Sequence, residues 1–344
     1  MIWHPLVLAF GVAAATGALL YGIAAFFALD VASKWQPETA GTPQLLREER
    51  AEQAGLLGFM AFICLTVAAF LGLAGIARIW PRMISGAMCG TGVLQAMEPD
   101  GHRAIIFWSL GLMVLYVWRV LERIDQSHPQ RALSGLNARV LLIAAPFLVP
   151  ALFDATHALL RIEIPLPVSC CAALYDPVLS PASSQGGKGW FPSVRLWLSL
   201  AGAIVLPAAA VCMMGLRLKG LSILLPFITF GWALLSAGSV QHTLSAYYYQ
   251  VLSHPCPWCL FLPDYLGAGF FIFGSLALAV LESIALWAAG LIRNVYLHLG
   301  DAAGHRQQQA VRRMTAAAIV FLILAFGPAI FWRIRNGVWL DGSP

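Results

Sequence analysis

The sequence predicts an all-α, polytopic integral membrane helical bundle of about eight transmembrane helices. Three observations carry that prediction. Of 344 residues, 60% are hydrophobic and only 11% are charged, against about 25% charged in an ordinary soluble domain. Mean hydropathy is +0.77. The apolar residues also fall in continuous runs of roughly 20, enough for a helix to cross a bilayer, rather than in the alternation of a membrane β-barrel. A water-soluble enzyme, a disordered chain and a fibrous protein are excluded by the same numbers.

The runs lie at about 5–29, 54–77, 104–121, 140–160, 194–216, 221–246, 260–292 and 314–332. The first has the length of a span and lacks the basic start and short core of a cleavable signal peptide. The seventh is over-long, so it either tilts or ends before Glu282 and continues along the interface. Of the 21 Lys and Arg residues, 13 fall in loops 30–53, 119–139, 217–219 and 293–313 and 8 in the alternate set, which points to both termini outside. The net charge of +5 suits cytoplasmic loops beside anionic lipid, a membrane-lipid partner rather than nucleic acid. The longest polar stretches are 30–53 and the Pro-, Ser- and Gly-rich 161–193. The basic loop near 123–139 divides the chain into a three-span region (1–135), a four-span region (136–293) and a last region (294–344) of basic loop and final span.

Cys64 and Cys212 fall inside spans, where a free cysteine packs as a small apolar residue. The other five, Cys89, Cys170, Cys171, Cys256 and Cys259, all fall in the outer segments, on the face where disulfides persist. The strongest local signal is His254-Pro255-Cys256-Pro257-Trp258-Cys259. A Cys-x-x-Cys opening a helix sets its first sulfur near free N–H groups that favour a thiolate, and Pro257 suits a first turn. Such a pair exchanges a disulfide and moves two electrons. A static disulfide and a soft-metal site share the same spacing. The adjacent Cys170 and Cys171 are poorly placed to bond to each other, so exchange with another partner is the alternative to simple packing. Cys89, in the glycine-flanked Gly86–Gly92, is open to a packed or a redox role.

The second half resembles the vitamin K epoxide reductase family. Val168-Ser169-Cys170 with the Leu174–Pro181 stretch, Trp190-Phe191-Pro192 leading into a helix, and Ser245–Leu260 (SAYYYQVLSHPCPWCL) carry the likeness over about residues 138–292. The resemblance implies a four-helix core around a quinone, ubiquinone or menaquinone, with the redox cysteines at its outer mouth. It implies that Cys259 faces the quinone, that Cys256 is its disulfide partner and exchanges with the loop, and that Cys170 is the loop cysteine. The family's second loop cysteine has no counterpart at 161–168, leaving Cys171 and Cys89 to take its place.

The activity so implied is thiol–disulfide:quinone oxidoreduction at a cell inner membrane, with the cysteines on the periplasmic face and a thioredoxin-like protein or cytochrome as partner. Asp264, Asp154 and His157 are candidates to move the protons, since ionisable groups at membrane depth face a cavity or a partner. Trp258 and Tyr248 are candidates to line the quinone pocket, and the remaining outer Trp and Tyr residues form an interfacial belt. Paired outer histidines (His4, His102, His157, His242, His254) suit a haem, although no covalent haem motif is present. Two other functions fit the same residues: an integral subunit of a membrane electron-transfer complex using haem or quinone, and a soft-metal-ion carrier.

Overall fold

The computed structural model describes residues 3–36, 41–129, 131–162, 190–216, 223–251 and 256–340. Among them, eight helices are long and apolar enough to cross a membrane, and they overlap all eight predicted runs. In chain order the α-helices are α1 (Pro5–Lys34), α2 (Thr42–Ala74), α3 (Gly90–Ala96), α4 (Asp100–Asp125), α5 (Ser134–Ile143), α6 (Ala145–Arg161), α7 (Trp190–Leu216), α8 (Leu224–Ser239), α9 (Ser245–Tyr249), α10 (Ala268–Val295), α11 (Gly300–Phe321) and α12 (Gly327–Asn336). Single π turns extend α2 (Gly75–Ile79), join α8 to α9 (Val240–Leu244) and join α11 to α12 (Leu322–Phe326). The seventh span does not stop before Glu282: α10 passes that residue and runs unbroken to Val295.

The helices group into two compact units. The first holds Met1–Ile76, Leu94–Ile164 and Leu291–Arg306; the second holds Ala77–Val93, Pro165–Gly290 and Gln307–Pro344. This grouping differs from the three-region division of the sequence. The fourth span packs with the first three, and the eighth joins the fifth to seventh. The spans that the family resemblance assigns to one four-helix core are thus shared between two units.

Small residues let backbones approach in a membrane, where apolar burial alone does not drive association. In the first unit, a Cβ on Gly17 would meet Leu65 at 2.8 Å, one on Gly58 would meet Trp118 at 2.8 Å, and one on Gly111 would meet Leu148 at 2.5 Å. Ala24, Ala28, Ala61 and Ala68 are wholly buried beside them. Polar bonds then fix the register. Tyr21 donates to the Leu141 carbonyl at 2.9 Å, and Trp108 Nε1 donates to that of Leu65 at 3.2 Å. At the α4–α5 turn, buried Asp125 accepts from the Leu133 amide and the Ser134 hydroxyl, both at 2.7 Å, so its carboxylate is fully used in starting α5. Buried Glu122 accepts from Gln126 at 2.7 Å and from Asn137 at 3.0 Å.

In the second unit, Trp232 lies across α7. Its Nε1 donates to the Ser199 carbonyl at 2.9 Å, and Ser199 donates to Ser236 at 2.8 Å. The ring meets Phe321 edge-on at 5.5 Å. Glu282 is fully buried and pairs with Arg313 at 3.2 Å, joining α10 to α11. An unpaired carboxylate there would be costly, so the pair fixes which faces of these two helices meet.

The α7–α8 contact depends on a missing side chain, because a Cβ on Gly202 would fall 2.1 Å from the Trp232 ring. Gly202→Ala is expected to displace Trp232, break its bond to Ser199 and cost about 1–3 kcal/mol. The check is the thermal unfolding midpoint of the detergent-solubilised protein. Gly231→Ala, where nothing lies within 4 Å, is expected to leave that midpoint unchanged.

Candidate functional site

The site is built where two connections meet in the second unit. The first follows the second span. Past the Trp80–Arg82 turn the chain reverses at Gly86, in the left-handed region at φ 79°, and reaches Cys89. The Cys89 carbonyl accepts from the Gly92 and Val93 amides at 3.1 and 3.3 Å, which starts α3. The second connection follows the sixth span. Gln250, also left-handed at φ 55°, ends α9 and turns the chain out of its helical path. Cys256 is extended, and Pro257–Phe261 forms a 3-10 turn, followed by a second one over Pro263–Tyr265. A reversal through Leu266 and Gly267, both at positive φ, then leads into α10.

The Cys-x-x-Cys therefore does not open the seventh span, which begins only at Ala268. Two prolines explain the difference. Pro257 and Pro263 each head a short turn, and the chain before each proline is held extended.

Three of the predicted thiols come together here. Cys89 and Cys256 are buried in contact, with Trp258 and Cys259 packed against them. Cys256 is only 1% exposed and lies within hydrogen-bonding reach of both Cys259 and Cys89. It is the shared member of the trio. Among the described residues, no three His, Cys, Asp or Glu side chains converge as a metal site. The thiols link through Cys256 rather than around a common centre.

The hydrogen bond between Cys256 and Cys259 is the largest influence on the Cys256 thiol. Burial adds to it and the Cys89 thiol opposes it, so the Cys256 thiol is pushed up to about 11. Cys256 thus sits between the other two thiols, within reach of each. The expectation that the first sulfur of the motif is the favoured thiolate is corrected: Cys256 meets the Trp258 amide of its own short turn, but its contact with Cys259 and its burial outweigh that and push the thiol up.

Aromatic residues hold the trio in place. A Cβ on Gly90 would lie 2.4 Å from the Trp258 ring, so only glycine admits the indole over the Cys89 turn. Trp258 contacts Phe261 at 5.7 Å, and Phe261 stacks on Phe273 at 5.6 Å and meets Phe270 edge-on at 4.8 Å. A ladder of rings thus descends from Cys259 into α10. Tyr249 donates to the Cys256 carbonyl at 2.6 Å and meets Tyr265 edge-on at 4.9 Å. Burial raises the Tyr265 hydroxyl, and the neighbouring negative charges of Cys259 and Asp264 raise it further. The sequence reading passed over Gly90, Tyr249, Phe261, Phe270 and Phe273. The usable signal was the row Tyr247–Tyr249 ending one turn before the motif.

The other predicted site residues are placed differently. Cys170, Cys171 and His254 lie outside the described residues. Tyr248 donates to the Leu324 carbonyl at 2.7 Å, in the π turn between α11 and α12, so it serves the backbone of the last span. Asp264 is exposed on the turn beyond the motif. His242 is exposed on the π turn before α9, within electrostatic reach of Arg195. Asp154 and His157 do not pair with each other and belong to the first unit. Asp154 accepts from Arg103 at 3.0 Å, while His157 Nδ1 donates to Asp100 at 2.5 Å and Arg103 also bonds Asp100 at 2.6 Å. These four side chains tie α4 to α6. Of the remaining histidines, His4 caps α1 by accepting from the Leu6 amide, and His102 is exposed near Glu98.

Two outcomes are expected. Maleimide labelling of Cys256 should stay slow through pH 9 and rise only toward about 11. The fold favours the protonated thiol, so the matching contribution to stability is complete below pH 9 and is lost as pH climbs to about 11. Mass spectrometry of labelled peptides over a pH series checks the first of these. Gly90→Ala, which displaces Trp258, should raise Cys256 labelling at neutral pH by about tenfold, the equivalent of roughly 1.4 kcal/mol of lost packing.

Set against known proteins, the chain matches no family model, no curated protein and no solved structure, so the case for its function rests on the geometry of these thiols.

Proposed function

We propose that this chain is a membrane thiol–disulfide oxidoreductase that passes electrons from an external thiol protein, through Cys256 and Cys259, to a membrane quinone. The observation that carries the reading is the Cys256 thiol held within hydrogen-bonding reach of Cys259 beside a chain of aromatic rings. Two neighbouring thiols on the connection before an apolar helix suit two-electron exchange between an aqueous donor and a lipid-soluble acceptor. The likeness of residues 138–292 to the vitamin K epoxide reductase family points the same way, and the positive-charge bias favours the extracytoplasmic face of an inner membrane for both connections.

The side chains beside the thiols are aromatic and apolar, the chemistry that a flat apolar ring would meet. Phe261 and Phe273 stack with planes 9° apart, and the ladder starts at Trp258, between the two sulfurs. A bound quinone supplies the two-electron, two-proton acceptor. On the protein's side, Cys259 is the less buried thiol of the pair, which suits it as the attacking thiolate. Cys256 then closes on Cys259. The S–S bond forms, two thiols are oxidised to one disulfide, and two electrons and two protons leave with the acceptor. Tyr249 holds the Cys256 carbonyl, which keeps its sulfur facing Cys259 throughout.

The test is alkylation-based mass spectrometry on intact membranes, with and without added ubiquinone or menaquinone, using a membrane-impermeant maleimide. Added quinone is expected to convert Cys256 and Cys259 from thiols alkylated after denaturation to a linked peptide pair, with Cys259 labelled before denaturation from the extracytoplasmic side. Thiols indifferent to quinone, or labelled only from the cytoplasmic side, would overturn the proposal.

A further inference from the structure

We infer that Cys89 is the thiol that exchanges with Cys256, so that electrons enter the site through the turn after the second span. The inference rests on the redox reading above and names the residue that feeds it.

Cys256 is 1% exposed, too enclosed for the active site of a thiol protein to approach its sulfur. Among the described residues, its sulfur neighbours are Cys259 and Cys89. Cys89 is buried against it, yet it is flanked by exposed Ser85, Gly86 and Met88, the last 76% exposed. The Cys89 turn, with three exposed residues, is in this reading the side on which an external dithiol arrives. Four spans separate the two cysteines in the chain. An even number of crossings returns the chain to the same side, so their contact agrees with the span count.

The chemistry balances. When quinone reduction has left a Cys256–Cys259 disulfide, the Cys89 thiolate attacks the Cys256 sulfur. The S–S bond to Cys259 breaks, a Cys89–Cys256 bond forms, and Cys259 departs as the thiolate. This step is an exchange with no net oxidation. An external dithiol then attacks the Cys89 sulfur, Cys256 leaves as a thiol, and the donor's second thiolate closes the donor's own disulfide and frees Cys89. The donor has lost two electrons and two protons, and the chain has regained them as thiols on Cys256 and Cys259.

The experiment uses the full chain in its membrane. After mild diamide oxidation, Cys259→Ser is expected to yield a linked Cys89–Cys256 peptide pair, and Cys259→Ser with Cys89→Ser is expected to leave Cys256 alkylatable. In the otherwise native chain, Cys89→Ser is expected to slow reduction of the Cys256–Cys259 disulfide by reduced thioredoxin by about tenfold or more. An unchanged thermal unfolding midpoint of the detergent-solubilised protein shows that the variant folds; Cys89→Ala repeats the measurement with a different side chain. Linkage of Cys256 to Cys170 or Cys171 in Cys259→Ser, no linkage at all, or thioredoxin reduction at the native rate in Cys89→Ser overturns this inference alone if quinone still drives the Cys256–Cys259 bond. Loss of the quinone response in the native chain overturns the redox reading itself.

Discussion

The arrangement depends on one close contact, the indole of Trp258 lying over Gly90. It brings a turn from the first part of the chain against a turn from its second part and encloses Cys256 between them. Neither turn has enough structure to hold its shape alone. The Cys89 turn is a reversal and a seven-residue helix, and the motif turn is a pair of 3-10 loops headed by prolines. Packed together, they exclude water from a sulfur that would otherwise face the interface.

The same physical demand shapes the rest of the molecule. In lipid, each polar group needs a partner inside the protein, and the chain meets that need at helix junctions. Asp100, Arg103, Asp154 and His157 join α4 to α6, Glu282 and Arg313 join α10 to α11, and Tyr248 caps a carbonyl in the π turn before α12. Asp154, His157 and Tyr248 were candidates for the site when seen as isolated polar side chains in apolar runs. Seen with its partners, each has a structural task. The thiols differ, because nothing about holding turns together requires three sulfurs in contact.

The eight spans were legible in the sequence because hydropathy reports what a segment faces, and these segments face lipid. The pairing of spans was not legible for the same reason. An apolar helix looks alike whether its neighbour is the third span or the fifth, and the contacts that decide the matter, Gly111 against Leu148 and Gly202 against Trp232, are small residues with no hydropathy signature. At the site, the Cys-x-x-Cys stood out by spacing and Cys89 by its side of the membrane, so the gathering of thiols was foreseen in outline. The helix-opening geometry expected for Cys256 was not found, since the two prolines that favour a first turn equally favour two separate short ones. Tyr249 was hidden among identical neighbours: Tyr247, Tyr248 and Tyr249 are the same residue three times, and only the helix phase decides which of them reaches Cys256.

Burial of the central thiol also gives the site a direction. In a row of three sulfurs, the middle one belongs to every disulfide the row can form, with Cys259 or with Cys89. Each transfer then replaces one neighbour by another around a fixed Cys256, and no long loop has to travel. The terminal sulfurs need access to different media. Cys259 stands at the head of a ladder of phenylalanine rings that runs into α10, while Cys89 lies beside exposed residues of a short turn. On the proposed function, separating the two openings by one enclosed sulfur would keep an aqueous donor from meeting a lipid-soluble acceptor directly. Electrons passing between them would then go through the protein.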